Sequence, residues 1–435
     1  MALRKHFSVI LLLVLVSSLI ALTNAQASTP TSGTISSDTT WTKDASPYIL
    51  TGGVIIDGDA VLTIEPGVTV DFNGWYLQVD GALHAKGTSE NKITLTSHTF
   101  SLNQRITFAN SSKGWQEETG TGSIIENTNI NKVCLYVAGS PKVNNNYINA
   151  TYQMTVTDGA PVISNNKIDC SETGIYATGG CPTISGNNLK GIGAIAGIVC
   201  KVKADILGNI VTGFTLGIQA ANSSIIKGNQ VLYNNLGIEY RESATVQNNL
   251  IMNNKDGLSG GRGIIQANTI VNNSRKGITF SAPPLEASNN NIYNNKYNVA
   301  LSCAEDINAV NNWWGITDAD AINQTIYDKK ASSELGKVSF LPFLSGPNPS
   351  APSVEDIVVN PTSTITSPTP SVSVSTGTPA ATSRVEPTDD SSAVYGTLSF
   401  SDIITLAVIV VIIVGIALIV IIVYVSDKKL KVKNT

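Results

Sequence analysis

The sequence predicts an all-β fold, a single-stranded parallel β-helix of about ten or more coils of roughly twenty residues each. Three columns of residues predict it. Asn recurs nine times, at Asn146, Asn166, Asn187, Asn209, Asn229, Asn249, Asn268, Asn290 and Asn312, with gaps of 19 to 22 residues. Apolar residues keep step with it: three places before each Asn stand Val143, Ile163, Ile184, Ile206, Ile226, Val246, Ile265, Ala287 and Ala309, and two places after stand residues such as Ile148, Ile168 and Trp314. A Gly column, Gly217, Gly237, Gly257 and Gly277 at intervals of 20, is followed each time by an apolar residue.

Each column has a physical reason. A repeat this short, rich in Asn, Gly, Ile, Val and Thr, suits short strands and tight turns rather than helices. Asn tolerates left-handed backbone angles, and stacked amides can bond from level to level. Gly is read as a corner in a conformation that a Cβ hinders. One coil cannot bury its own apolar face, so stability comes from stacking. Coils ~4.8 Å apart would make a rod on the order of 50 Å long.

Along the chain, residues 1–27 read as a signal peptide: Arg4 and Lys5, an apolar run from Phe7 to Leu22, then the small residues Ala25 and Ala27. Residues 28–40 read as disordered. Residues 41–130 form the N-terminal cap and first irregular coils, and 131–345 the regular repeats and closing coil. There the aromatics of Asn312-Trp313-Trp314-Gly315 and Phe340–Phe343 cover the last layer. Residues 346–400, rich in Ser, Thr and Pro, cannot bury enough apolar surface to fold and read as an extended stalk. Within 401–425, Ile403 to Val425 is 23 residues without a charge, a transmembrane helix. Lys428, Lys429, Lys431 and Lys433 in the tail 426–435 place that end in the cytoplasm and the rod outside.

Leu62-Thr-Ile-Glu-Pro-Gly67, the Asn-x-Ile coils and Asn312-Trp313-Trp314-Gly315 together resemble the right-handed parallel β-helix repeat proteins common on microbial, especially archaeal, cell surfaces. The resemblance spans roughly residues 41 to 345. It implies the fold and leaves the function open among pectate-lyase-like enzymes, carbohydrate-binding surface proteins and NosD-like factors of copper-site assembly.

Composition narrows these classes. Without the two basic residues at the start and the charged residues of the tail, 22 basic residues face 31 acidic ones, a net −9, and no basic stripe points to nucleic acid. Copper assembly wants clustered soft or imidazole ligands. The chain has three His, of which His84 and His98 lie outside the signal peptide, and five scattered Cys: Cys134, Cys170, Cys181, Cys200 and Cys303. These Cys read as small residues filling coil positions; a Cys170–Cys181 link is the one pairing that suggests itself. Asp57, Asp59 and Asp71 near the first cap and Asp318 and Asp320 near the last are oxygen ligands suited to Ca²⁺, though no complete Ca²⁺ motif is present, and no cofactor is expected.

The residue after each Gly-following apolar side chain should share an outer column: Tyr176, Val199, Gln219, Glu239, Ser259, Thr279 and Ala300. Glycoside hydrolysis needs two carboxylates flanking the bond, and Glu239 is the only acid of this column. With Tyr240, Arg241, Glu242 and, one coil on, Arg262, it is the candidate ligand-binding patch; Arg275 is a further neighbour. Trp75 and Trp115 are read as capping core. Sequons at Asn110, Asn149, Asn222, Asn272 and Asn323 are candidate glycosylation sites in or near turns. The expected function is that of a membrane-anchored surface protein for cell-surface structure, adhesion or carbohydrate binding, in contact with glycans or envelope proteins. A surface polysaccharide lyase or hydrolase and a NosD-like copper assembly factor are the alternatives.

Overall fold

A computed structural model describes residues 28–98, 101–150, 152–221 and 223–356. It is an all-β parallel solenoid of the right-handed type. Each regular coil lays down three short strands, so three faces run along the solenoid. Face 1 is a sheet of 12 strands, from Thr39–Trp41 to Glu286–Ser288. Faces 2 and 3 merge into one sheet of 23 strands because Asn188–Cys200 and Ile210–Ala220 run through the corner between them. Each coil pairs with the next in register, as in Ile206↔Ile226↔Val246↔Ile265 on face 1. The apolar residues flanking the Asn column line the interior, where Ile184, Ile206, Val211, Ile226 and Val231 have no exposed surface.

All nine column Asn are buried and form one hydrogen-bonded ladder. Asn209 Nδ2 donates to Asn229 Oδ1 at 3.0 Å and to the Ile184 carbonyl at 2.9 Å, while its main-chain N–H donates to the same Asn229 Oδ1 at 2.8 Å. This arrangement repeats from Asn146 to Asn290, with Asn312 accepting at the end. The ladder Asn is not itself the left-handed residue. The residue before it is: Asn145, Asn165, Gly186, Gly208, Gly228, Asn248, Ala267, Asn289 and Asn311 all have φ between 51° and 68°. That neighbour turns the corner, and the turn swings the Asn amide inward.

Of these nine corner residues, Ala267 alone is neither Asn nor Gly. An Ala held left-handed costs roughly 1–2 kcal/mol, part of which Gly returns through the entropy of the unfolded chain. Ala267→Gly is therefore expected to raise the unfolding free energy by about 0.5–1 kcal/mol, read as a higher denaturation midpoint at unchanged slope.

A second ladder lies at the corner between faces 2 and 3, five residues after the first. Asn234 Nδ2 donates to Asn254 Oδ1, Asn254 to Asn273, Asn273 to Asn295 and Asn295 to Asn298, at 2.9–3.1 Å. The Gly column packs against it, and this corrects its reading as a strained corner. Gly217, Gly237, Gly257 and Gly277 lie inside face 3 strands without positive φ. A Cβ on any of them would meet the next coil's carbonyl oxygen at 2.5–2.6 Å and a second-ladder amide at 2.7–3.1 Å. Close approach of backbones, not handedness, requires Gly there.

Both ends differ from the sequence expectation. Residues 28–40 are not disordered: Thr29–Ile35 pairs with Tyr48–Ile56 and Thr39–Trp41 opens face 1. The segment is polar, yet the first coil offers it an open strand edge, and pairing satisfies its backbone. At the far end Trp314, 2 % exposed, meets the Phe340 ring edge-on at 6.1 Å, and the short helix Ala319–Gln324 buries Ile322. The stalk does not begin at 346. Residues 346–355 fold back on the outer side of face 2, where Asn248 Nδ2 donates to the Ser350 carbonyl at 2.7 Å and Val354 packs on Leu232, Leu250, Met252 and Val271. The remainder of the stalk, the signal peptide, the Ile403–Val425 span and the basic tail lie outside the described residues. Among the described residues no helix is long and apolar enough to cross a membrane.

Candidate binding face

The patch expected around Glu239 is not assembled. Tyr240 points inward, 2 % exposed, and donates from its hydroxyl to the Gly261 carbonyl at 2.9 Å. Its ring fills the space left by Gly260 and Gly263, where a Cβ would lie 2.3 and 2.6 Å from it. Burial pushes the Tyr240 phenol far above its ordinary range. It therefore offers no ring for stacking. Arg262 and Glu242 are exposed, and Arg262 pairs with neither Glu239 nor Glu242. Arg275 is bound to Asp256, which holds its guanidinium charged. What remains is Glu239, which accepts from Gln219 Nε2 at 2.8 Å and faces Arg241 at 3.9 Å.

The column that contains Glu239 is nevertheless continuous, and longer than the repeats alone indicate. Strand register aligns Gln78, Thr107, Tyr136, Thr155, Tyr176, Val199, Gln219, Glu239, Ser259 and Thr279 along face 3. Val199 is 7 % exposed, and Ala300, the last expected member, is fully covered. Tyr136 stands between buried Leu135 and Val137, and Tyr176 between buried Ile175 and Ala177, so alternation turns both rings outward. Each carries a cation: the Arg105 guanidinium lies 5.7 Å from the Tyr136 ring centre and Lys201 Nζ 5.4 Å from that of Tyr176. The two tyrosines are two coils apart, about 10 Å.

Two clefts border this stripe. One, of about 460 Å³, lies where face 2 turns into face 3 and is lined by Asn73, Trp75, Tyr76, Asn103 and Arg105, with Trp75 43 % exposed. Trp75 is thus a surface ring, not capping core. The other, of about 550 Å³, lies where face 3 turns into face 1 and is lined by Lys201, Lys203, Gln219 and Arg241. Arg105, Tyr136, Lys201 and Lys203 were missed in the sequence because Arg105 sits in an irregular coil, Tyr136 precedes the first ladder Asn and follows no Gly of the column, and the two lysines lie on a turn. The period-two alternation of Leu135-Tyr136-Val137 was the available signal.

The other candidates fall elsewhere. Trp115 is half-buried against the outside of face 1, its indole N–H donating to Glu117 at 2.7 Å with Lys86 and Lys142 over its ring. Asp318 caps the short helix by accepting from the Ala321 N–H, Asp57 accepts from Gly58, and Asp71 accepts from Asn73 and faces His98 at 3.1 Å. Among the described residues no three of His, Cys, Asp and Glu converge on a common point. The five Cys are free thiols, Cys170 and Cys181 included, and burial pushes Cys170 and Cys200 up to about 12. Of the sequons, Asn110, Asn149 and Asn272 are exposed, Asn149 within a strand and Asn272 at a left-handed corner. Asn323 is half-buried in the short helix, and the hydroxyl of its Thr325 is bound to the Ile322 carbonyl at 2.7 Å. Asn222 lies outside the described residues. No family model matches the chain, and neither does any curated protein or solved structure.

Proposed function

We propose that the chain is a membrane-anchored extracellular β-helix protein of the microbial surface type, which binds an extended glycan along face 3 and so serves adhesion or envelope structure. The observation that carries this reading is the pair Tyr136 and Tyr176. They are two outward rings on one in-register column, each with a cation over one face that leaves the other for stacking, with Gln219 and Glu239 on the same column. Flat rings stack on sugar faces, and guanidinium, ammonium and amide groups hydrogen-bond hydroxyls. A column that runs from coil to coil suits a linear polymer better than a compact ligand. The anchoring half of the proposal rests on the two apolar segments at 1–27 and 401–425.

Binding is favoured over cleavage because Glu239 has no second carboxylate on its column. Turnover of a polysaccharide, lost in Glu239→Gln, would restore the lyase or hydrolase reading. Copper assembly of the NosD kind finds little support in thiols that are mostly buried.

A glycan array probed with the purified protein tests the proposal. Tyr136→Ala and Tyr176→Ala are each expected to weaken the affinity for the best ligand roughly tenfold, about 1.4 kcal/mol, with the denaturation midpoint nearly unchanged. A silent array, or variants that bind as the parent does, would contradict it.

A further inference from the structure

We propose that the outer wall of face 2 is a docking groove for a proline-rich peptide, that residues 346–355 occupy it as an internal ligand, and that the same segment of a second copy can take their place.

The outward positions of face 2 change character along the solenoid. Successive coils present Asp169, Lys190 and Thr212, then Leu232, Met252, Val271 and Tyr293. Leu232, Leu250, Met252 and Val271 form a buried apolar cluster separate from the interior core, and Val354 of the strap lies on it. An apolar stripe of this kind on an outer wall marks an interaction site.

The polar contacts are those of a bound peptide. Asn291 Nδ2 donates to the Asn348 carbonyl at 3.2 Å, Asn248 Nδ2 to that of Ser350 at 2.7 Å, and Thr269 Oγ1 to that of Pro352 at 2.5 Å. The wall thus takes three carbonyls of a segment that turns at Asn348–Ala351, where the Ala351 N–H donates to the Asn348 carbonyl at 3.2 Å, and ends in the single 3-10 turn Val354–Asp356. Asn348 is read most closely: its N–H donates to Asn291 Oδ1 at 2.7 Å and its Nδ2 to the Asn289 carbonyl at 2.5 Å. Pro347, Pro349 and Pro352 each fix one backbone angle, which lowers the entropy lost on docking.

The strap is separable from the coils beneath it. Strands Gln230–Leu232, Leu250–Met252, Thr269–Val271 and Asn291–Tyr293 complete their ladders with one another, and the strap joins none of them. It leaves the last coil through Gly346, around which a Cβ would meet nothing within 4 Å. An open hinge before a self-complementary segment is the geometry from which copies exchange elements.

The test uses the full chain. Asn348→Ala with Val354→Asp should release the strap, seen as faster amide exchange over 346–356 with the coils still protected. A labelled peptide of residues 346–356 is then expected to bind this variant at least tenfold more tightly than the parent, and adding Met252→Asp to the variant should abolish that binding. A full chain carrying only Met252→Asp keeps its strap but not its groove. Mixed with the strap-released variant it should form a heterodimer in sedimentation, while each alone stays monomeric. A strap that stays protected, a strap whose release unfolds the coils, or a peptide that ignores the emptied groove would each overturn the proposal. Peptide binding without a heterodimer would overturn exchange between copies.

Discussion

Asn249→Ala is expected to lower the unfolding free energy by about 4 kcal/mol, because removing one rung orphans several buried groups at roughly 1–3 kcal/mol each. Asn249 Oδ1 accepts from the Asn229 main-chain N–H at 2.9 Å and from its Nδ2 at 3.0 Å, and Asn249 Nδ2 donates to the Ile226 carbonyl at 2.8 Å. None of these groups reaches water. Asn249→Asp keeps the size and the acceptor but turns the donor into a second oxygen facing the Ile226 carbonyl and Asn268 Oδ1. Desolvation would raise the folded pKa of that carboxyl above its unfolded value of about 3.9. Relative to the parent, the variant should then be least stable at neutral pH and recover as pH falls below that folded pKa. Denaturant titrations at pH 7 and pH 4 check both points. An alanine variant within 1 kcal/mol of the parent at unchanged slope would mean the ladder is dispensable.

Gly237→Ala is expected to cost roughly 3 kcal/mol or more, at the upper end of overpacking effects, because the methyl strikes backbone that is itself locked in a ladder. The new carbon would lie 2.6 Å from the Gly257 carbonyl oxygen and 3.1 Å from Asn254 Nδ2. Gly228 is the contrasting case. Its φ is +68°, and the nearest atom to an added Cβ is 3.8 Å away. Gly228→Asn should therefore cost under about 1 kcal/mol, since Asn fills the same corner at 145, 165, 248, 289 and 311. Equal costs at the two sites, measured by unfolding, would mean that the Gly column is set by backbone handedness after all.

Repetition made much of this fold legible. Nine levels of Asn with inward partners at fixed offsets leave little room for another architecture, and they place Glu239 on an outer column with Gln219 and Ser259. What escaped lies where one coil does not predict its neighbour. The second ladder becomes a continuous Asn series only from Asn234 onward, five residues behind a stronger signal. Tyr240 looks outward beside Glu239 until Gly260 and Gly263 of the next coil are seen to make room for its ring. The strap is hidden because serine and proline composition argues for a stalk. Yet Leu250-Ile251-Met252 and Ile270-Val271 already break the alternation expected of a strand with a wet outer side. A strand apolar on both faces needs a cover, and residues 346–355 are that cover.

Spin labels along the face 3 column test the winding itself. With one label at Thr279 and its partner moved through Tyr176, Tyr136, Thr107 and Gln78, the register sets separations of five, seven, eight and nine coils. At ~4.8 Å per coil the distances should rise to about 24, 34, 38 and 43 Å. Distances that level off, or that change order along the series, would contradict a solenoid whose coils stack one upon the next.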